Sequence, residues 1–329
     1  MTDGSFSRAV QAAAAGEVSA LEQLMRDDPS VLEARDADGH TLLGLACKAA
    51  TNESAMPPAD GTPQQHAAVD AILAAGADPS AAAYDGWAPL HTAAITGHVA
   101  LMRRLLAAGA SREGRLMGAR GGSPLALSLF YAKAERVALL ANPPFPDNLR
   151  TAAALNRPLE RFIDGRELVA SASEGTDFYR PISAFPVWQR TSSRQELLDE
   201  ALSWAARNDA CEAMATLVSW GADVSSNAYR GTPLLWAIYG DRVNAATWLL
   251  EHGADPNQRH DFGGEHHGRA AVALHLAAQY SCLGCLRLLL SRGADATIKD
   301  VAYDATPLGW AEHEGATEAA EILRAHRRR

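Results

Sequence analysis

The sequence predicts an all-α fold, a solenoid of about nine helical hairpins with β-turn tips and two insertions. Three observations predict it. The triplet Gly-Ala-Asp recurs from Gly76, Gly221, Gly253 and Gly293, with Gly109-Ala110-Ser111 as a variant; Gly76 to Gly109 is 33 residues and Gly221 to Gly253 is 32. A helix-opening signal also recurs, as Ala88-Pro89-Leu90-His91, Ser123-Pro124-Leu125, Thr232-Pro233-Leu234, Val272-Ala273-Leu274-His275 and Thr306-Pro307-Leu308. Finally, the chain is 47% hydrophobic but only 6% aromatic. Its core is therefore built from Ala, Leu and Val, and alanine both favours the helix and lets helix axes approach.

From the N-terminus, a worn cap spans Ala9 to Leu32, and a second unit runs from Asp36 to Gly76 around a polar, Pro-rich loop at 50–63. The unit Ala83–Gly109 is the most regular, and units at Ser123–Asn142 and Leu149–Ile163 are degenerate. Regular units resume at Leu202–Gly221, Thr232–Gly253, Val272–Gly293 and Thr306–Leu323. The last carries Glu312, Glu314, Glu318 and Glu321 and no closing glycine, as a solvated cap would. Proline sets φ for a first helical turn and lacks an N–H that would be orphaned there. Leucines such as Leu101, Leu105 and Leu106 form the stripe of a second helix. Glycine then ends that helix in the left-handed conformation. Each hairpin keeps an uncovered apolar face until the next one stacks on it, so the unit must repeat.

These residues resemble the ankyrin repeat, with its Gly-x-Thr-Pro-Leu-His-x-Ala-Ala opening and Leu-Leu-x-x-Gly-Ala-Asp close. The resemblance covers most of the chain and divides it into 1–163, with cap and worn units, an aromatic insertion at 164–193, and regular units at 194–329 that include a His-rich loop at 260–269. Phe178-Tyr179-Arg180-Pro181 followed by Phe262-Gly263-Gly264-Glu265-His266-His267-Gly268 is similar to a bacterial subfamily of ankyrin-repeat proteins. That similarity implies architecture and no particular reaction.

A net charge of -9 argues against binding a phosphate backbone, which needs a basic face. No basic start leads into an apolar stretch, and no apolar run approaches about 18 residues, so neither a signal peptide nor a membrane span is expected. Four cysteines are too few for a disulfide framework in a chain this long. A cytoplasmic protein is expected, and lysine confined to positions 48, 133 and 299 hints at a GC-rich bacterial genome.

In ankyrin folds the hairpin tips and the exposed side of the first helices line a concave face. The resemblance places Tyr84, Asp85, Trp87, Tyr229 and Arg230 in tips, and Phe130, Tyr131, Arg207, Tyr239, Gln279, Tyr280, His313 and Glu314 at the ends of first helices. Binding surfaces enrich tyrosine and tryptophan. The insertion adds Phe178, Tyr179 and Trp188, and a segment of about 30 residues that is not compositionally disordered suits a lid or binding loop. His260, His266 and His267 with Arg180 or Arg269 could instead perform acid–base chemistry on an anionic group. No ligand spacing matches a metal motif, and no cofactor is expected. Trp204, Trp236 and Trp310 read as enlarged core residues, His91 and His275 as turn-bonding residues, and Cys282 and Cys285 as packing.

The leading expectation is a scaffold that binds a protein or peptide partner, with neither nucleic acid nor membrane. Its rival is an enzyme or small-molecule binder with a pocket between segment 164–193, loop 260–269 and the groove. The third is that the insertions only patch a weakened middle.

Overall fold

The structure is a computed structural model and describes residues 2–48, 61–96, 98–113, 122–131, 134–141, 148–173, 193–227, 231–260 and 269–327. The chain divides into two compact units, Met1–Phe145 with Thr176–Tyr179, and Pro146–Gly175 with Arg180–Arg329.

The first unit holds α1 (Thr2–Ala15), α2 (Val18–Asp27), a 3-10 turn at Pro29–Leu32, α3 (Leu42–Lys48), α4 (Pro63–Ala74), α5 (Pro89–Thr96), α6 (Val99–Ala107), α7 (Pro124–Phe130) and α8 (Ala134–Leu140). Consecutive helices pair as hairpins, α1, α3, α5 and α7 pack in succession, and α2, α4, α6 and α8 form a second layer. The cap thus begins at Thr2, ahead of the expected Ala9, and Phe6, in that extra turn, is buried.

The second unit opens with α9 (Leu149–Ala154), a 3-10 turn at Glu160–Phe162, a two-residue hairpin of β1 (Ile163–Asp164) and β2 (Glu167–Leu168), and a 3-10 turn at Ala170–Ala172. Four hairpins follow: α10 (Arg194–Arg207) with α11 (Cys211–Ser219), α12 (Pro233–Tyr239) with α13 (Val243–Glu251), α14 (Ala273–Gln279) with α15 (Leu283–Ser291), and α16 (Pro307–His313) with α17 (Thr317–Arg327). Two sequence expectations are corrected here. The unit Leu149–Ile163 is half a hairpin: a 3-10 turn and the β1–β2 hairpin stand where a second helix would follow α9. The first helix expected from Leu202 begins two turns earlier, where Ser193 accepts from the Glu196 N–H at 3.2 Å.

Among the described residues the proline openings, closing glycines and turn-bonding histidines fall as expected, and the structure adds caps and turns to them. Thr62, Ser123, Thr232 and Thr306 cap helices that open on proline. At Ala88 and Val272, which lack a hydroxyl, the histidine three residues later meets the cap residue's own N–H instead: the Ala88 N–H donates to His91 Nδ1 at 3.1 Å and the Val272 N–H to His275 Nδ1 at 3.2 Å. Gly76, Gly109, Gly221, Gly253 and Gly293 close the second helices at φ between 84° and 102°. The alanine after each is buried. Asp78, Asp223, Asp255 and Asp295 then each accept the N–H two residues on at 2.8 Å, which turns the chain.

A further regularity ties neighbouring hairpins of the second unit. Asn156, Asp209 and Asp241 occupy positive φ at 51°, 60° and 50°. Their side chains accept the N–H groups of Ala213, Ala245 and Cys285 at 3.0, 2.8 and 2.9 Å. Each thereby caps the second helix one unit ahead. Trp204 and Trp236 are 2% exposed and Trp310 8%, as core residues. Cys282 and Cys285 are buried at the start of α15, where burial pushes the Cys285 thiol up, so packing is their role.

Candidate functional site

In the first unit, the tips before α3 and α5 form one surface. The Asp36 and Ala83 N–H groups close them onto the carbonyls of His40 and Trp87, both at 3.0 Å. The Tyr84 N–H joins one tip to the other through the Asp38 carbonyl at 3.2 Å. Gly39, at φ 87°, carries the Tyr84 ring: a Cβ there would lie 2.6 Å from the Tyr84 Cγ. A cavity of about 590 Å³ results, lined by Asp38, His40, Lys48, Tyr84, Asp85 and Trp87. Tyr84 is 68% exposed, and Trp87 is fixed by donation from Nε1 to Thr92 Oγ1 at 2.8 Å.

Asp36, Asp38 and His40 bring three donor atoms within 4.8 Å of one another. Two of the three, Asp36 and His40, are engaged inside the turn. Asp36 Oδ1 accepts the N–H groups of Asp38 and His40 at 3.0 and 2.8 Å, and its carboxylate faces His40 Nδ1 at 3.2 Å. Burial alone would raise the Asp36 carboxyl, but these His40 contacts outweigh it and hold the group below its ordinary range. Lys48 Nζ, which has no lone pair, donates to His40 Nε2 at 3.1 Å. The set is a closed turn with a polar rim.

In the second unit, α12, α14 and α16 present aromatic ends. Tyr239 and Tyr280 meet edge to face at 5.1 Å, and Tyr280 is 41% exposed. Burial, then Tyr239 and Glu314, push the Tyr280 phenol up to about 12. Beside them lies a cavity of about 410 Å³ lined by Gln279, Tyr303, Ala305, Gly309, Trp310, His313 and Glu314. Asp300 builds its wall. Its carboxylate accepts the Tyr303 and Ala305 N–H groups at 2.6 and 3.2 Å and Trp310 Nε1–H at 2.9 Å. Burial works upward on Asp300, yet these bonds and His275 outweigh it and hold the carboxyl low.

Tyr84, Asp85, Trp87, Tyr239 and Tyr280 therefore fall at tips or first-helix ends as expected, while three other expectations change. Phe130 is 4% exposed and Arg207 1%, so neither is a surface residue. The Arg207 guanidinium lies 3.5 Å from the Trp236 ring centroid. His260 is 3% exposed, with its N–H on the Ala271 carbonyl at 3.0 Å, and burial pushes its imidazole down to about 3. A group so enclosed is a poor acid–base catalyst near neutrality. Tyr131 is half-buried against Phe130. Phe178, Tyr179, Arg180, Trp188, Tyr229, Arg230, His266 and His267 lie outside the described residues. Tyr303, Lys48 and His40 were missed, since tip composition alone does not say which tips stay exposed.

The geometry agrees with the comparisons. The family model described as "Ankyrin repeats (3 copies)" matches residues 188–260, and that described as "Ankyrin repeat" matches 85–113 and 271–301. Among curated proteins, the mouse "B-cell lymphoma 3 protein homolog" is 28% identical over 245 residues, which cover 68% of this chain and 48% of that protein. Mouse inversin is 42% identical over 77 residues, covering 23% and 6%. Protein PhlB of Serratia liquefaciens is 40% identical over 74 residues, covering 22% and 32%. The chain thus spans less than half the length of each of these relatives. No helix among the described residues is long and apolar enough to cross a membrane.

Proposed function

We propose, from the premise that this chain belongs to the ankyrin-repeat family, that it is a scaffold recognising a protein partner through exposed aromatic tips and first-helix ends. Ankyrin repeats generally mediate protein–protein interaction. The observation that carries the finer reading is exposure: in a chain with 6% aromatics, Tyr84, Tyr280 and Tyr303 stand 68%, 41% and 62% exposed. Each sits beside a cavity or an aromatic neighbour rather than alone on a charged face. Exposed rings of this kind give large contact area at small entropic cost. The acid–base alternative loses its described anchor with the burial of His260.

Affinity chromatography with the wild-type chain and a Tyr84→Ser/Tyr303→Ser double variant tests this reading. Both rings are exposed, so the variant should keep its melting temperature within a few degrees while losing the retained partner. Undiminished retention of the same partner by the double variant would refute the surface assignment.

A further inference from the structure

The cavity over Trp310 repeats, in open form, an arrangement that the same unit closes for itself. Trp236 and Trp310 are each the fourth residue of a helix that opens on proline, α12 and α16. In α10, the first helix of the hairpin before α12, the residue after Ala205-Ala206 is Arg207, whose guanidinium lies 3.5 Å from the Trp236 ring centroid. In α14, the first helix of the hairpin before α16, the residue after Ala277-Ala278 is Gln279, and Gln279 lines the cavity beside Trp310. The position that supplies a cation in one place supplies a neutral amide in the other.

The remaining walls suit the missing cation. Tyr303, 62% exposed, stands with its ring 6.4 Å from Trp310 at 70°, so two aromatic rings border the space. Asp300 holds the Trp310 indole by its N–H, so the ring does not have to be ordered on binding. Glu314 adds a carboxylate. Neighbouring acids are neutralised, Asp304 by Lys299 at 2.7 Å and Glu312 by Arg324 at 2.6 Å. Among the described residues, Glu314 instead accepts from the neutral Gln279 amide at 3.2 Å and has no basic partner.

We propose that this cavity seats an arginine side chain of the partner polypeptide, an inference that rests on the scaffold reading. The guanidinium stacks on the Trp310 indole beside Tyr303 and donates to Glu314. A planar, weakly hydrated cation satisfies both a ring face and a carboxylate, which a lysine ammonium does less well. The volume of about 410 Å³ lies within the range of small-ligand pockets.

The probe is the blocked tripeptide acetyl-Gly-Arg-Gly-amide, titrated into the full chain while the Trp310 indole N–H resonance is followed by NMR. The citrulline and lysine analogues are titrated alongside. Arginine should give a saturable shift, and citrulline, which keeps the plane and loses the charge, should bind about tenfold more weakly. Glu314→Gln and Tyr303→Ala should each weaken binding by about tenfold with an unchanged melt. Gln279→Arg should supply the guanidinium in cis, abolish the titration and leave the melting temperature equal or higher. Equal binding of arginine and citrulline, equal binding of lysine, or wild-type affinity in Glu314→Gln or Gln279→Arg would overturn the assignment. A partner still captured by wild type when the arginine peptide gives no shift removes the seat and leaves the scaffold reading intact. Failure to capture any partner removes the scaffold reading instead.

Discussion

At the scale of single residues, the motif histidines and the closing glycines were legible because their roles are local. A histidine three residues after a helix start reaches its own cap, although His275 also bonds the Ala305 carbonyl of the next unit through Nε2 at 3.0 Å, and glycine after a leucine stripe can only end it. Burial was less legible. Phe130 and Arg207 follow the repeat period to an outward position, yet both are covered, and no spacing rule reports what a neighbour covers. His260 was misread in the same way, and its burial has a measurable consequence. The unfolded imidazole takes up a proton near 6.5, and the native one only near 3. Between those values the unfolded state binds more protons, so stability falls as pH falls, by up to about 1.4 kcal/mol per pH unit from this group. His275 shifts in the same direction, with burial the main cause. Urea midpoints between pH 5.0 and 6.5 should therefore fall less steeply in His260→Asn than in wild type, and parallel curves would refute this. Gly39→Ala should place a Cβ against the Tyr84 ring at strained φ, with a loss of about 1–2 kcal/mol.

At the scale of elements, most of these helices have 7 to 12 residues, too few to persist alone in water. Stacking and the ties between hairpins hold them. Asp241 bonds the Cys285 N–H at the start of α15 while occupying positive φ. Asp241→Ala should cost about 1–2 kcal/mol, read as a lower urea midpoint, and Asp241→Asn should restore most of it. A second tie joins α9 to α10, where Arg150 Nη1 donates to Glu200 Oε2 at 3.1 Å with side chains 1% and 0% exposed. Glu200→Gln removes the charge that faces the buried Arg150 guanidinium and should cost about 3 kcal/mol, whereas Arg150→Met with Glu200→Leu should recover most of the loss. Equal destabilisation by the single and double changes would contradict that account. The Ser193–Glu196 capping spacing already signalled the early start of α10. The repeat template overrode that local signal, because it assigns each unit the same length.

At the scale of the whole molecule, recurrence at 32–33 residues made the architecture legible, since a unit that cannot bury its own face implies its neighbours. The candidate surface was half legible. Tyr84, Trp87 and Tyr280 followed from position, but the cavity at Trp310 depends on Asp300 folding the tip so that Tyr303 stands beside the indole. The central claim is that partners meet the tips and first-helix ends rather than the second helices. Its most direct test incorporates a photo-crosslinking residue, one at a time, at Tyr84, Tyr280 and Tyr303, and at the exposed Arg103 on α6 and Glu321 on α17. The account predicts a crosslinked partner from the three tyrosine positions and none from Arg103 or Glu321; crosslinking of the same partner from α6 or α17, with none at the tyrosines, would contradict it.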